Sequence, residues 1–465
     1  MSAIVSGAQP LPSAGDAVRA QKVERLTHVD TIDAVNTLVS GPLLDRRRWR
    51  RWWIAMIVAS LLTVLFFGSM IYLFAKGIGI FGNNSIVVWG YPIANYVWWI
   101  GIGNAGTLIS SMLLLTHQHW RAAINRLAEA MTLMAVAIAG LMPIMHMGRP
   151  LYFYWLAPYP NTMALWPQWR SALIWDFWAI LSYLLFSIIF WYTGLIPDLA
   201  TLRDRAITPG KRIFYGALAL GWRNSARHWH IYQTYYRTMA ALATPLVCSV
   251  HSIVGLDFAA SLMPGWQETI FPPYFVVGAM YSGFAMVVVL CAGVRWGLDL
   301  EALITTRHFE IMAKVMLMAG TVMFLSYATE WFSAWYSGRG VDRRFLSFEF
   351  TGAYAPLYWI MIFCNCIAVQ AFWFRSARRS LPAIIIISIL INIGMWLERI
   401  LIVWNTLSHH YIASMWRLFY PTLWDWFVLF GSLGFFAFLY LLFARFFPVV
   451  SMHEVKELVQ REATS

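Results

Sequence analysis

The sequence predicts an all-α integral membrane protein of about ten transmembrane helices. Three observations carry that expectation. Of 465 residues, 60% are hydrophobic and 12% charged, against a charged share of about 25% in ordinary soluble chains. Apolar runs of roughly 20 residues recur between short polar stretches, the length a helix needs to cross a bilayer. The net charge of +12 comes from the connecting segments. There it speaks for orientation and anionic lipid headgroups before it speaks for nucleic acid.

In chain order, residues 1–45 are polar and are expected to form a cytoplasmic tail with no cleavable signal peptide. "DRRRWRRWW" (45–53) reads as a basic and aromatic anchor. Within a transmembrane domain spanning 46–450, the spans are expected at 53–75, 95–116, 127–147, 172–195, 238–256, 272–296, 309–335, 352–374, 382–405 and 422–447. The fifth is the weakest, because Pro245 interrupts it and Gly255 loosens its end. Residues 451–465 are a second tail. Eighteen Lys and Arg fall in the segments on the side of the N-terminus and seven in those on the other side. That bias places both termini in the cytoplasm. Residues 147–171 and 263–275 are crowded with aromatics and proline. They read as an interfacial belt, or as a lid over a lipid-soluble ligand and a docking surface for an outer partner. Cys248, Cys291, Cys364 and Cys366 lie inside apolar runs without a C-x-x-C pair, so they read as packing residues.

Ionisable residues inside apolar runs are costly, at least ~2.5–3.5 kcal/mol each at the bilayer centre, and so need a partner or a role. At 1.5 Å per residue, His146, Asp176, His251, Asp257, Glu330, Glu398, Arg399 and Asp425 all fall in the outer half, as one layer. Asp425 reads as a helix N-terminal acid. Arg399 pairs with Glu330 or serves a ligand, and it points about 100° away from its neighbour Glu398. His146 and His251 have the bland alternative of interhelical hydrogen bonding. Asp176 and Asp257 have no assigned cation, so the four together point to a proton-handling site. On the inner side, Ser182, Tyr183, Ser187, Ser282, Tyr281 and Ser388 read as interhelical hydrogen-bonders rather than a proton wire.

A hydroquinone loses two protons with two electrons and lives in the bilayer, so a lateral pocket ending in His and Asp suits it. Spacing alone leaves bis-histidine haem ligation by His146 and His251 open. A dihaem cytochrome b needs four intramembrane histidines, however, and no C-x-x-C-H occurs. The expectation is therefore a chain with no haem or iron–sulfur cluster, whose electrons leave to a partner. A secondary transporter would place its polar groups near the midplane between repeats.

Several stretches resemble the NrfD/polysulfide-reductase integral membrane family, most closely the quinol-oxidising ActC-type subunit of bacterial alternative complex III. They are "VWWIGIGNAGTLISSMLLL" (97–115), "GLMPIMHMGRPLYFYWLAPYPNT" (140–162), "LIWDFWAI" (173–180), "GLIPDLATLRDRA" (194–206), "GWRNSARHWH" (221–230) and "LVCSVHSIVGLDFAASLMPGWQETIFPPYF" (246–275). The resemblance implies two four-helix bundles, spans two to five and six to nine, with one flanking helix at each end. It implies a pocket for menaquinol or ubiquinol near the outer face of a bacterial cytoplasmic membrane. It also implies an extracytoplasmic iron–sulfur partner, c-type cytochrome subunits and a second NrfD-like membrane subunit, with proton translocation in prospect. His146, Asp176, His251, Asp257 and Arg399 match the pocket's polar residues. Asn104 stands where relatives often have histidine; it keeps a hydrogen bond and does not titrate. A non-oxidising ActF-like paralogue, or the membrane anchor of a polysulfide- or nitrite-type reductase, is the runner-up.

Overall fold

The computed structural model describes residues 26–44, 50–157 and 169–464. Most of the N-terminal tail, part of the basic anchor and the middle of the 147–171 loop lie outside these. Among the described residues there is no strand, and ten helices are long and apolar enough to cross a membrane. In chain order the helices are α1 (Ile32–Leu44), α2 (Arg50–Lys76), α3 (Tyr91–Leu115), α4 (Asn125–His146), α5 (Ala172–Arg205), α6 (Pro209–Leu218), α7 (Ala226–Ala259), α8 (Phe271–Gly297), α9 (Thr306–Tyr336), α10 (Gly340–Thr351), α11 (Ala355–Ile362), α12 (Leu381–Ser408), α13 (Leu423–Phe446) and α14 (Met452–Thr464). The eighth span is α11 carried on through a π turn, Phe363–Ile367, and a 3-10 turn, Ala368–Trp373.

Helices α3, α4, α5 and α7 pack as one bundle, and α8, α9, α11 and α12 as a second. The bundles meet where α3 and α7 lie against α8 and where α12 reaches α3. The most apolar window of α3 is 89% buried against 22% for α2, which marks α3 as the central helix and α2 as a lipid-facing one. Small residues let α3 take that place. A methyl on Gly283 of α8 would strike Ala105, and one on Gly106 would strike the Ala128 carbonyl of α4. Close backbone approach of this kind replaces the hydrophobic drive that helices lack in lipid. The two flanking spans do not stand at opposite ends: α2 and α13 pair with each other, on the side of α3 and α4.

Two spans are longer than their apolar runs. The fourth continues to Arg205 rather than ending near 195, and the fifth begins at Ala226 rather than Thr238 and passes Pro245 unbroken. Hydropathy marks where a helix leaves hydrocarbon, not where it ends. These extensions, with α1, α6 and α14, cap the face that carries both chain ends. There Asp198 of α5 accepts from the backbone N–H groups of Met452 and His453, at 3.2 Å each. We call this the terminal face and the opposite one the distal face.

The same charge pair opens the second helix of each bundle. Arg126–Glu129 in α4 is 3.2 Å apart and fully buried; Arg307–Glu310 in α9 is 3.1 Å apart and partly exposed. The bundles thus share a local pattern and differ in how deeply they enclose it.

Candidate functional site

The predicted polar residues do not form one layer. His146 ends α4, Asp176 lies in the first turns of α5, Asp257 in the last turn of α7 and Asp425 at the start of α13, all near the distal face. His251 lies ~12 Å below the end of α7 at Ala259, Arg399 ~14 Å below the end of α12, and Asn104 ~20 Å below the start of α3. Two tiers result, and the helix axes decide which members meet.

In the deeper tier His251 is enclosed between α3 and α8. Asn104 Nδ2 lies 2.9 Å from its Nδ1, and the ring lies over Gly101, where a methyl would come 3.6 Å from Cε1. With that amide donating, the ring proton sits on Nε2, which is buried without a hydrogen-bond partner. Phe275 of α8 packs 5.9 Å from the ring. The Arg399 guanidinium lies over the same Phe275 at 4.1 Å, in space left by Gly278, and near Tyr274 at 5.8 Å.

Arg399 does not pair with Glu330. Its Nη1 is 2.9 Å from Oε1 of its neighbour Glu398. Adjacent helix positions diverge, but the long guanidinium stem curls back far enough to close the gap. The other oxygen of Glu398 accepts from the Tyr327 hydroxyl and, at 3.2 Å, from Asn365 Nδ2, which also donates to Tyr327 at 3.0 Å. Asn365 sits in the π turn of the eighth span. Such a turn inserts an extra residue and re-aims side chains, as at many functional positions.

In the distal tier the Asp176 and Asp257 carboxyls meet, with the Tyr96 hydroxyl beside Asp176. Gly255 does not loosen the helix to swing Asp257 over His251. The helix continues regularly to Ala259, and Gly255 instead admits the backbone of α8, where a methyl would come 2.8 Å from Pro272 Cα. Six residues apart on a regular helix, His251 and Asp257 face about 240° apart, one toward α3 and α8, the other toward α5. One helical turn below the two carboxyls, Ala179 of α5 and Ile253 of α7 line a groove of about 420 Å³ on the flank of the bundle. Trp169, Trp175 and Trp178 edge it.

His146 stands apart from both groups. It lines a distal cavity of about 910 Å³ with Arg149, Tyr152 and Trp155, and its ring meets Trp89 edge-on at 5.6 Å. From Trp89 a run of rings, Phe258 at 6.3 Å and then Phe275 at 5.6 Å, leads to His251. Glu330 faces another way. It shares a small cavity of the second bundle with Glu349 and Glu398. Asp425 caps α13, its Oδ2 accepting from the N–H groups of Thr422 at 2.8 Å and Gly82 at 2.9 Å, as the sequence indicates.

The terminal half holds residues that sequence reasoning passed over. Arg126 Nη1 contacts Glu129 at 3.2 Å, and Nη2 contacts Asp198 at 3.3 Å and the Gly194 carbonyl at 2.6 Å. Ser110 and Tyr236 donate to Glu129 at 2.6 and 2.7 Å. Above them Thr107, Thr132, Ser187 and Tyr183 form a hydroxyl cluster that reaches the Gly103 carbonyl beside Asn104. Lying at the edge of a span, Arg126 and Glu129 looked like headgroup charges. The repeat of the pair at Arg307–Glu310 was the available signal. Of the remaining inner hydroxyls, Tyr281 donates to the Asn365 carbonyl at 2.9 Å and Ser388 to Met316 Sδ at 3.7 Å, while Ser182 and Ser282 bond within their own helices.

The "Polysulphide reductase, NrfD" family model matches residues 79–408, from the distal loop before α3 to the end of α12, the part of the chain that holds both bundles and both polar tiers. A relative in Halobacterium salinarum, named as a "Putative dimethyl sulfoxide reductase membrane subunit", is 27% identical over 241 residues, 52% of this chain and 51% of the relative. The chain thus spans about half the length of that relative. A ten-span helical protein matched by the family model over both of its bundles, the chain belongs to the NrfD family of polysulphide reductase membrane proteins.

Proposed function

We propose that this chain is the quinol-binding membrane subunit of a respiratory or photosynthetic electron-transfer complex of the alternative complex III type. It oxidises menaquinol or ubiquinol near the distal face. The carrying observation is the Asp176–Asp257 pair, set one helical turn above a groove on the flank of α5 and α7. Two facing carboxyls without a cation hold a proton between them, and gaining or losing it costs little reorganisation. An isoprenoid-tailed quinol enters along the groove with its tail against Trp178, Leu246 and Ile253 and its head toward the carboxyls. Asp257 takes the hydroxyl proton at the mouth. His251, its ring fixed by Asn104, binds the head group from below, and Arg399 supplies the positive charge beside it.

Quinol gives quinone, two protons and two electrons. The electrons pass to an extracytoplasmic iron–sulfur subunit and on to c-type cytochromes, and this chain contributes neither haem nor cluster. The distal face is then the outer face of a bacterial cytoplasmic membrane, with both termini inside and a second NrfD-like subunit alongside. The polar column from Asn104 to Asp198 is the route by which oxidation couples to proton translocation. A second reading, the membrane anchor of a reductase running in the opposite direction, draws support from the name of the Halobacterium relative.

Steady-state quinol oxidation and a quinone difference spectrum on the purified complex test the proposal. Bound quinone and a turnover lost in His251→Ala support it. Electron flow only from the partner subunits into quinone establishes the anchor reading instead.

A further inference from the structure

We propose that the second bundle is the proton exit of the site: Glu398, through Tyr327, hands a quinol-derived proton to Glu330 and Glu349, and so to the distal face. The inference rests on the quinol reading above and adds a route for one of the two protons. Arg399 lies against the Phe275 ring that His251 also touches, so Glu398 stands one contact behind the histidine. From Glu398 the Tyr327 hydroxyl leads into a cavity lined by Ser326, Tyr327, Glu330, Glu349, Glu398 and Thr406. The space there open to a water's centre is about 40 Å³. One water needs ~10–15 Å³ on that measure, so about two or three fit.

The cavity is built to hold them. Glu349 Oε2 and Thr406 Oγ1 are buried, face it and have no hydrogen-bond partner, and Glu398 Oε1 has only the ion pair to Arg399. Buried acceptors of this kind call for a donor, here water or a proton. Charge makes the same point. Glu330 from α9, Glu349 from α10 and Glu398 from α12 converge with Tyr274 of α8, Tyr358 of α11 and Asn405 of α12, and Arg399 is the cation at hand. Three carboxylates against one guanidinium are too costly in a low-dielectric site unless the cluster holds protons. Glu349, on the distal helix α10, has its carboxyl pushed by burial up to about 7, so it exchanges a proton near neutrality. Beyond it, Glu268 in the loop after α7 lies in the field of Glu330 and of Asp342, both acidic, toward the distal surface. The proton goes from the quinol oxygen to Glu398 and leaves from Glu349 to water; no electron follows this path.

The test uses the intact complex with Glu330→Gln, Glu349→Gln, Glu349→Asp and, as a control on the quinol reading, His251→Ala. The glutamine variants are expected to lower quinol oxidation about 100-fold, the low end for a lost proton-transfer group. Quinone binding stays unchanged, and Glu349→Asp recovers part of the rate. The oxidised-minus-reduced infrared spectrum of the wild type should carry a protonated-carboxyl band that Glu349→Gln removes and Glu349→Asp shifts. This readout needs no turnover. Full turnover and an unchanged infrared spectrum in both glutamine variants, with His251→Ala inactive, overturn the relay and leave the quinol site standing. A rate rescued by sodium rather than by pH overturns it too, in favour of a cation site. Normal quinol oxidation in His251→Ala overturns the quinol reading itself.

Discussion

Asp257→Asn separates chemistry from architecture. The substitution keeps the size of the side chain and gives it an N–H donor to set against Asp176, while removing the group that accepts the proton. Two buried carboxyls that face each other repel unless they share a proton, so replacing one by an amide relieves that constraint. Folding and assembly are therefore expected to hold or improve. Turnover should fall by about 10²–10⁴, the usual contribution of a positioned base. That corresponds to about 2.7–5.5 kcal/mol in the barrier. The assay is steady-state quinol oxidation by the purified complex, normalised to the amount of assembled complex, alongside thermal stability in detergent. Turnover within about threefold of wild type would mean that the pair only packs the ends of α5 and α7. A variant that fails to assemble would refute the repulsion argument from the other side.

Arg126→Met should destabilise the protein by about 3 kcal/mol, because it leaves Glu129 and Asp198 buried without their shared cation; Ser110, Tyr236 and the backbone of Met452 and His453 hold the cost near the low end of the usual range. Equilibrium unfolding in mixed detergent reads this, and a change below ~0.5 kcal/mol would count against a structural role for the cation. Gly283→Ala should cost about 1–3 kcal/mol by overpacking the α3–α8 contact at Ala105, with Ala105→Gly restoring part of it. For Glu349 the folded value of about 7 lies above its ordinary 4.5. The folded state then binds more protons between those values, so stability should fall by about 3 kcal/mol as pH rises through and past that window. Glu349→Gln should flatten this dependence, and an equal slope in the variant would assign it elsewhere. A reporter fused after Ser465 should be active only in the cytoplasm; external activity would invert the proposed sidedness.

By itself the sequence determined the membrane-helical class, the ten spans, and the identity of the ionisable residues that hydrocarbon makes expensive. It also determined that Asp425 begins a helix. These are local properties: hydropathy is summed along one segment, and a rise of 1.5 Å per residue turns position into depth. Which polar groups meet was decided by the tertiary structure, because that depends on how each helix is rotated and how closely its neighbours approach. His251 turns to Asn104 and Phe275 while Asp257 turns to Asp176, since α7 stays regular past Gly255 and α8 closes on that glycine. Arg399 finds Glu398 instead of Glu330 because Gly278 leaves its guanidinium a place over Phe275. Arg126 and Glu129, charges at the edge of a span in the sequence, are buried once α5, α7 and α14 close the terminal face over them, an enclosure that no single segment encodes.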